Sequence, residues 1–185
     1  MKRFAVLLLL VCLIAGCDRE EKELERGLML RDRLLASGCS FDADITADYG
    51  DILHTFSMNC RTDGQGDMAF TVTAPESIFG ITGTVTREGG HLTFDDTALY
   101  FELLTDDLIS PVAGPWIFVK TLRSGYLRAA GMEEGLLRLT IDDSYEDDAL
   151  NLDIWLNDQD VPVRAEVLWD GRRILTLDVT NFTML

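Results

Sequence analysis

The sequence predicts a mainly β, α+β domain: one strongly curved antiparallel sheet, a half-barrel of about ten strands, with an N-terminal helix and a short helical insertion. Three observations predict it. From Cys39 onward, apolar and polar residues alternate with period 2 over most of the chain, the pattern of strands with one dry and one wet face. Turn signals rich in Gly and Asp separate these segments at hairpin spacing. A sheet of that many strands must curl strongly or close.

The elements follow in order. Asp18 to Ala36 reads as a charged tether running into a helix, with Leu24, Leu28 and Leu35 on one side at i, i+4 and i+11 and Leu34 beside them. That leucine stripe is expected to pack on the domain, and Ser37-Gly38 is the expected stop. Gly27 weakens the helix by about 1 kcal/mol relative to Ala. Next, Cys39, Phe41, Ala43, Ile45 and Ala47 alternate with Ser40, Asp42, Asp44, Thr46 and Asp48. Pairing about Tyr49-Gly50 sets Ala47 opposite Ile52, Ala43 opposite Phe56, Phe41 opposite Met58 and Cys39 opposite Cys60, which aligns both apolar faces. A second hairpin turns at Asp63-Gly64-Gln65-Gly66. An odd-length loop there matches Met68, Phe70, Val72 and Ala74 to Cys60, Met58, Phe56 and His54. Phe79, Ile81 and Val85 alternate with threonines, Arg87-Glu88-Gly89-Gly90 turns into Leu92 and Phe94, and Leu99, Phe101 and Leu103 form another strand. Asp106 to Glu134 breaks the β pattern. Pro115 stands where a helix starts, and Trp116, Val119 and Leu122 share one face of a helix over Trp116–Arg123. Strands return around Leu137–Ile141, Leu150–Leu156, Val163–Trp169 and Leu175–Val179. No internal repeat, low-complexity tract or domain linker interrupts the chain.

The start of the chain carries its own signal. Met1-Lys2-Arg3 is basic, and Phe4 to Ile14 is an unbroken apolar run. As a helix this run is about 16 Å long, half a hydrocarbon core of about 30 Å, so it does not span. A basic n-region, a short h-region and small residues at its exit are the parts of a secretory signal. Ile14-Ala15-Gly16-Cys17 also resembles the bacterial lipobox. The resemblance implies cleavage before Cys17 and lipidation of its thiol and new amino group, and several acyl chains anchor stably where one is marginal. The chain then divides into a signal peptide (1–16), a lipidated tether (17–23) and a domain (24–185). An ordinary secretory signal with an incidental cysteine is the alternative. Either way the domain is expected outside the cytoplasm, and with the anchor it sits on the extracytoplasmic face of the cell membrane. Asp18, directly after the cysteine, resembles the enterobacterial signal for inner-membrane retention. Loss of Lys2 and Arg3 with all 32 acidic residues retained deepens the formal charge from −16 to −18. Such a surface repels polyphosphate, which excludes nucleic acid as a partner.

Cys39 and Cys60 remain once the signal and Cys17 are set aside. Opposed across the first hairpin in an oxidising compartment, they are expected to form a disulfide closing a loop worth roughly 3 kcal/mol, with two buried thiols as the alternative. The search for catalysis is negative. His54 and His91 are the only histidines, there is no HExxH, CxxC, Gly-x-Ser-x-Gly or phosphate-binding glycine loop, and no enzyme, metal or cofactor is expected. The acidic stretch Asp142–Asp148 lacks a calcium-loop pattern and reads as a solvated hairpin loop. Asn181-Phe182-Thr183 matches a glycosylation sequon that a bacterial-type chain would not use.

The apolar inventory carries the remaining information. Phe41, Ile45, Phe56, Met58, Phe70, Val72, Phe79 and Ile81 line the expected concave face, extended by Leu152, Ile154 and Trp169. Most are core in any fold; some are expected to line a pocket for an acyl chain. The order of lipobox, amphipathic helix, hairpins of a long curled sheet and helix-bearing break resembles the LolA/LolB-type lipoprotein carriers and the mycobacterial LppX/LprG lipoproteins, over about Leu24 to Phe182. The run Trp155-Leu156, Val161 to Val167, Asp170-Gly171-Arg172 and Asn181-Phe182 looks like the closing strands of such domains. The resemblance implies a non-catalytic half-barrel that binds a hydrophobic ligand, and Phe41, Phe56, Met58, Phe70 and Trp116 are the expected pocket residues. The alternative is a scaffold or regulatory lipoprotein with a packed core that binds an envelope protein.

Overall fold

The computed structural model describes residues 21–95, 97–105, 108–146 and 149–185, so the signal, Cys17 and the tether up to residue 20 lie outside the described residues. Helix α1 covers residues 21–36. Strands β1 (Cys39–Asp48), β2 (Leu53–Thr62), β3 (Met68–Ala74), β4 (Thr82–Thr86), β5 (Gly89–Phe94) and β6 (Thr97–Phe101) follow as a meander. A short hairpin of β7 (Leu104–Thr105) and β8 (Leu108–Ile109) leads through a 3-10 turn (Pro111–Ala113) to helix α2 (Gly114–Ser124). A second meander completes the chain: β9 (Tyr126–Glu133), β10 (Leu136–Asp142), β11 (Asn151–Leu156), β12 (Pro162–Trp169) and β13 (Arg172–Met184). Eleven strands form one antiparallel sheet in the order β6-β5-β4-β3-β2-β1-β13-β12-β11-β10-β9. The first and last strands pair in its middle, and the sheet curves without closing, leaving β6 and β9 as edges.

The period-2 pattern sorts residues as expected. On β1 every odd residue from Cys39 to Ala47 is buried, and Met58, Cys60, Met68, Phe70 and Val72 continue the dry face. Leu137, Leu139, Ile141, Leu152, Ile154, Leu156, Ala165, Val167, Leu175, Leu177 and Val179 do the same in the second meander. Helix α2 packs in the concavity against β10, β12 and β13. Pro115 stands in its first turn, as expected, but burial covers more than one stripe: Trp116, Ile117, Phe118, Val119 and Leu122 are all inside. Phe118 meets Phe41 edge to face at 5.6 Å between ring centroids.

Two arginines lock the helices to each other. Arg31 of α1 donates from Nε to the Leu122 carbonyl at 2.8 Å and from Nη2 to the Gly125 carbonyl at 2.7 Å, satisfying the end of α2. Arg123 of α2 donates in return to the Leu34 carbonyl of α1 and, at 2.8 Å, to that of Gly64. On the convex face, Arg138, Trp155 and Arg164 stand in register on β10, β11 and β12, and both guanidiniums lie over the indole at 5.4 and 5.5 Å.

Five expectations need correction. The buried stripe of α1 is Glu23, Gly27, Leu30 and Leu34, whereas Leu28 and Leu35 are about half exposed. The reason is Gly27: a Cβ there would sit 3.1 Å from both Leu139 methyls, so the helix approaches the sheet on its smallest residue. The first hairpin turns one residue later than expected. Gly50, at φ +93°, opens a two-residue loop closed by the Tyr49 N–H to Ile52 carbonyl bond, the place where φ > 0 favours glycine. Each partner therefore moves by two, pairing Ile45 with Phe56, Ala43 with Met58 and Phe41 with Cys60. The second hairpin has the expected odd loop but shifts likewise, with Cys60 opposite Phe70, because the Asp63 carboxylate accepts the N–H groups of Gln65, Gly66 and Asp67 and centres the turn one residue later. The same shift removes the expected disulfide. Cys39 and Cys60 are free buried thiols, and the Cys39 sulfur lies 3.2 Å from the Thr62 hydroxyl instead. Finally, β9 lies in the stretch expected to lack strands; its Ala129-Ala130-Gly131 centre has no alternation and its edge position demands none.

Candidate functional site: two chambers on the concave face

Helix α2 covers only part of the concavity, and the face of β2–β6 is left to smaller elements. There the 3-10 turn after β8 roofs a chamber of about 220 Å³ lined by His54, Phe56, Phe70, Val72, Ile78, Ile81, Leu92, Pro111 and Val112. The lining is almost wholly carbon. Two glycines shape it. Gly83 pairs with both Phe70 and Leu92, and a Cβ on it would lie 2.5 Å from the Phe70 ring, so the ring occupies the space a side chain there would need. Gly90 serves Phe101 in the same way. Beyond the chamber the apolar surface continues without a cover. Leu99 faces Leu92 across β5–β6, Phe94 follows on the same side, and the two are 54% and 44% exposed. Ile52 and Phe79, more than half exposed, stand on the rim above them.

A second chamber of about 590 Å³ lies beside the first, between α2 and the loop joining β10 to β11. Trp116, Ile117, Leu103, Ile109, Leu150 and Trp169 form its apolar walls, with Arg87, Lys120 and Asp143 at its polar end. Lys120 pairs with Asp143 at 3.3 Å, and the Asp143 carboxylate also accepts the Leu150 N–H at 2.8 Å, closing its own loop. Asp142 and Asp143 thus serve the hairpin-loop reading of the acidic stretch; Asp142 accepts the Asn151 amide at 2.6 Å and pairs with Arg128. The segment from Ile109 to Val112 is the partition between the chambers. It is held by the Tyr49 hydroxyl donating to the Ile109 carbonyl and by the Ser110 N–H to Leu103 carbonyl bond at 2.9 Å. Burial raises the Tyr49 hydroxyl to a pKa of about 12, so it stays a donor across the physiological range.

The five expected pocket residues divide among three places. Phe56 and Phe70 line the smaller chamber, and Trp116 lines the larger one while its indole N–H reaches the Gly66 carbonyl at 3.0 Å. Phe41 and Met58 line neither. They are 1% and 0% exposed, and Phe41 packs between Phe118 and Phe182, because β1 and the middle of β2 are the centre of the sheet. Ile78, Leu92, Pro111 and Val112 were missed. Leu92 was legible as an apolar residue within a strand, while Ile78, in the 3-10 turn after β3, and the roof of Pro111 and Val112 depend on tertiary contacts that no periodicity carries. His54 forms part of the chamber wall, 6.5 Å from the Tyr49 ring. His91 packs on Tyr100. Among the described residues neither imidazole hydrogen-bonds a serine, cysteine or carboxylate.

No family model matches the sequence, and no curated protein matches it. Solved structures do resemble it. An uncharacterized conserved protein from Thermus thermophilus aligns with a TM-score of 0.48 at 11% identity, over 89% of this chain and 86% of that one. A LolA superfamily protein from Nitrosomonas europaea aligns with a TM-score of 0.45 at 7% identity, over 90% and 93%. The Mycobacterium tuberculosis lipoprotein LppX aligns with a TM-score of 0.42 at 11% identity, over 87% and 93%.

Proposed function

We propose that this chain is a non-catalytic, membrane-anchored extracytoplasmic lipoprotein that holds a hydrophobic ligand, a lipid or acyl chain, on the concave face of its half-barrel. The carbon-lined chamber of about 220 Å³ carries the reading. A dry cavity of about 150 Å³ already admits benzene, so this one takes a chain segment. The uncovered apolar strip of Leu92, Phe94 and Leu99 continues the same surface outward. A packed core without a chamber would favour a scaffold instead; here α2 packs one half of the concavity and leaves the other open.

Lipidation at Cys17 gives the domain an orientation. Whatever their conformation, residues 18–20 bridge no more than about 14 Å to the start of α1. The beginning of α1 is tied by Arg26 to Asp160 at 2.6 Å, in the loop between β11 and β12. That loop is at the opposite end of the strands from Ile52, Phe79 and Phe94, so the apolar rim faces away from the anchoring membrane.

The test uses the lipidated full chain in phosphatidylcholine nanodiscs with an alkyl diazirine carrying an uncharged hydroxyl head. Irradiation followed by peptide mapping is expected to label the segments around Phe56, Val72 and Leu92. Labelling confined to α1, or none above empty nanodiscs, overturns the reading.

A further inference from the structure

The rim of the smaller chamber has a charge pattern that selects among ligands. Three segments build it: the β1–β2 tip (48–55), the β3–β4 connection (75–81) and the end of β5 with the start of β6 (93–95 and 97–99). Between them they contain no lysine and no arginine. They supply the exposed apolar side chains Ile52, Leu53, Phe79, Phe94 and Leu99. They also supply the exposed acids Asp51, Glu76 and Asp95, whose carboxylates have no ion-pair or hydrogen-bond partner among the described residues. Arg172, on the β13 side of the tip, is spent on Asp48. An apolar strip rimmed by one sign of charge orients an amphiphile: its chain lies on Leu92, Phe94 and Leu99, and its head meets the carboxylates.

Resting on the ligand-binding reading above, we propose that the ligand is an amphiphile whose polar end is cationic, an amine or quaternary ammonium, and that the rim acids reject phosphate and carboxylate heads. An exposed carboxylate beside the head attracts an ammonium weakly and repels a phosphate by as much, so the two heads are expected to differ by about tenfold in affinity. The larger chamber differs, with Arg87 and the Lys120–Asp143 pair among its lining, so the preference is a property of this rim rather than of the concavity as a whole.

The experiment compares diazirine-bearing alkyl chains of one length with trimethylammonium, hydroxyl and phosphate heads, on the full chain in phosphatidylcholine nanodiscs. The ammonium probe is expected to label the β2–β6 segments at about one tenth of the concentration the phosphate probe needs, and half-molar salt is expected to shrink the gap. D51N/E76Q/D95N is expected to abolish the preference, bringing the ammonium and phosphate probes to the same labelling. E25Q/E134Q/D158N removes the same charge from exposed sites elsewhere and is expected to keep the preference, which separates the rim from the net charge of the protein. Equal labelling by the three heads, or a preference that follows net charge in both triple variants, overturns the proposal and leaves ligand binding standing. No labelling by any head overturns both.

Discussion

Replacing Arg31 by methionine removes the side chain that closes α2 while keeping most of its length. Two charge-assisted bonds go, to the carbonyls of Leu122 and Gly125 at 2.8 and 2.7 Å. Such bonds contribute about 1.5–3 kcal/mol each when shielded. The guanidinium is only half-buried, and water reaches part of the space it vacates, so about half of that sum, roughly 1.5–3 kcal/mol, is the expected loss. Burial pulls the Arg31 pKa down, yet an arginine remains charged, so the loss is independent of pH near neutrality. For a chain of this size the change lowers Tm by about 3–10 °C. Urea unfolding followed by tryptophan fluorescence measures it, with Trp116 on α2 as a local reporter. R31K is expected to recover less than half, since an ammonium cannot fork between two carbonyls. Because Arg123 reaches back to Leu34 and Gly64, R31M/R123M is expected to be non-additive by at least about 0.5 kcal/mol. A loss below about 0.5 kcal/mol for R31M, with additive behaviour, refutes the reciprocal clamp.

Other outcomes follow from the same geometry. G83A forces a methyl to 2.5 Å from the Phe70 ring and 2.3 Å from the His91 carbonyl, and is expected to cost about 1–3 kcal/mol and weaken labelling by the hydroxyl-headed probe; unchanged binding means the ring does not shape the chamber. F41A is expected to destabilise by about 3–5 kcal/mol, and F56A by less than half of that while altering probe binding. Cys39 and Cys60 are expected to resist iodoacetamide in the native state and to react together on unfolding; failure of both to react even in denaturant without reductant means that they are bonded. Burial raises the ionisation of Tyr49, Cys39 and Cys60 above their unfolded values. Their contribution is therefore full below about pH 9 and is lost as pH rises toward 12, so stability is expected to fall over that window, less steeply in Y49F; a flat profile contradicts it.

Much of the sheet was legible because side-chain direction has a period of two. Moving the first turn from Tyr49-Gly50 to Gly50-Asp51 shifted every partner by two residues and left every residue on its own face, so the core of β1 and β2 survived an incorrect register. What depended on single partners failed with it, the Cys39–Cys60 pair first. The face of α1 misled for a different reason. Three leucines outnumber a glycine in any hydrophobic pattern, but close approach to Leu139 is decided by the absence of a side chain at Gly27. For the chamber, Phe56, Phe70, Val72 and Ile81 were visible as alternating apolar residues. Which of them stayed uncovered depended on where α2 came to rest, and that is set by tertiary contacts such as Phe118 on Phe41.

Native mass spectrometry of the full chain, released from its host's membranes in mild detergent, tests the central claim most directly. The account predicts one non-covalent adduct of lipid mass on top of the covalent modification, reduced when Leu92→Asn and Leu99→Asn make the uncovered strip polar. A protein that carries only its covalent mass in every preparation contradicts it, as does an adduct that persists undiminished in that variant.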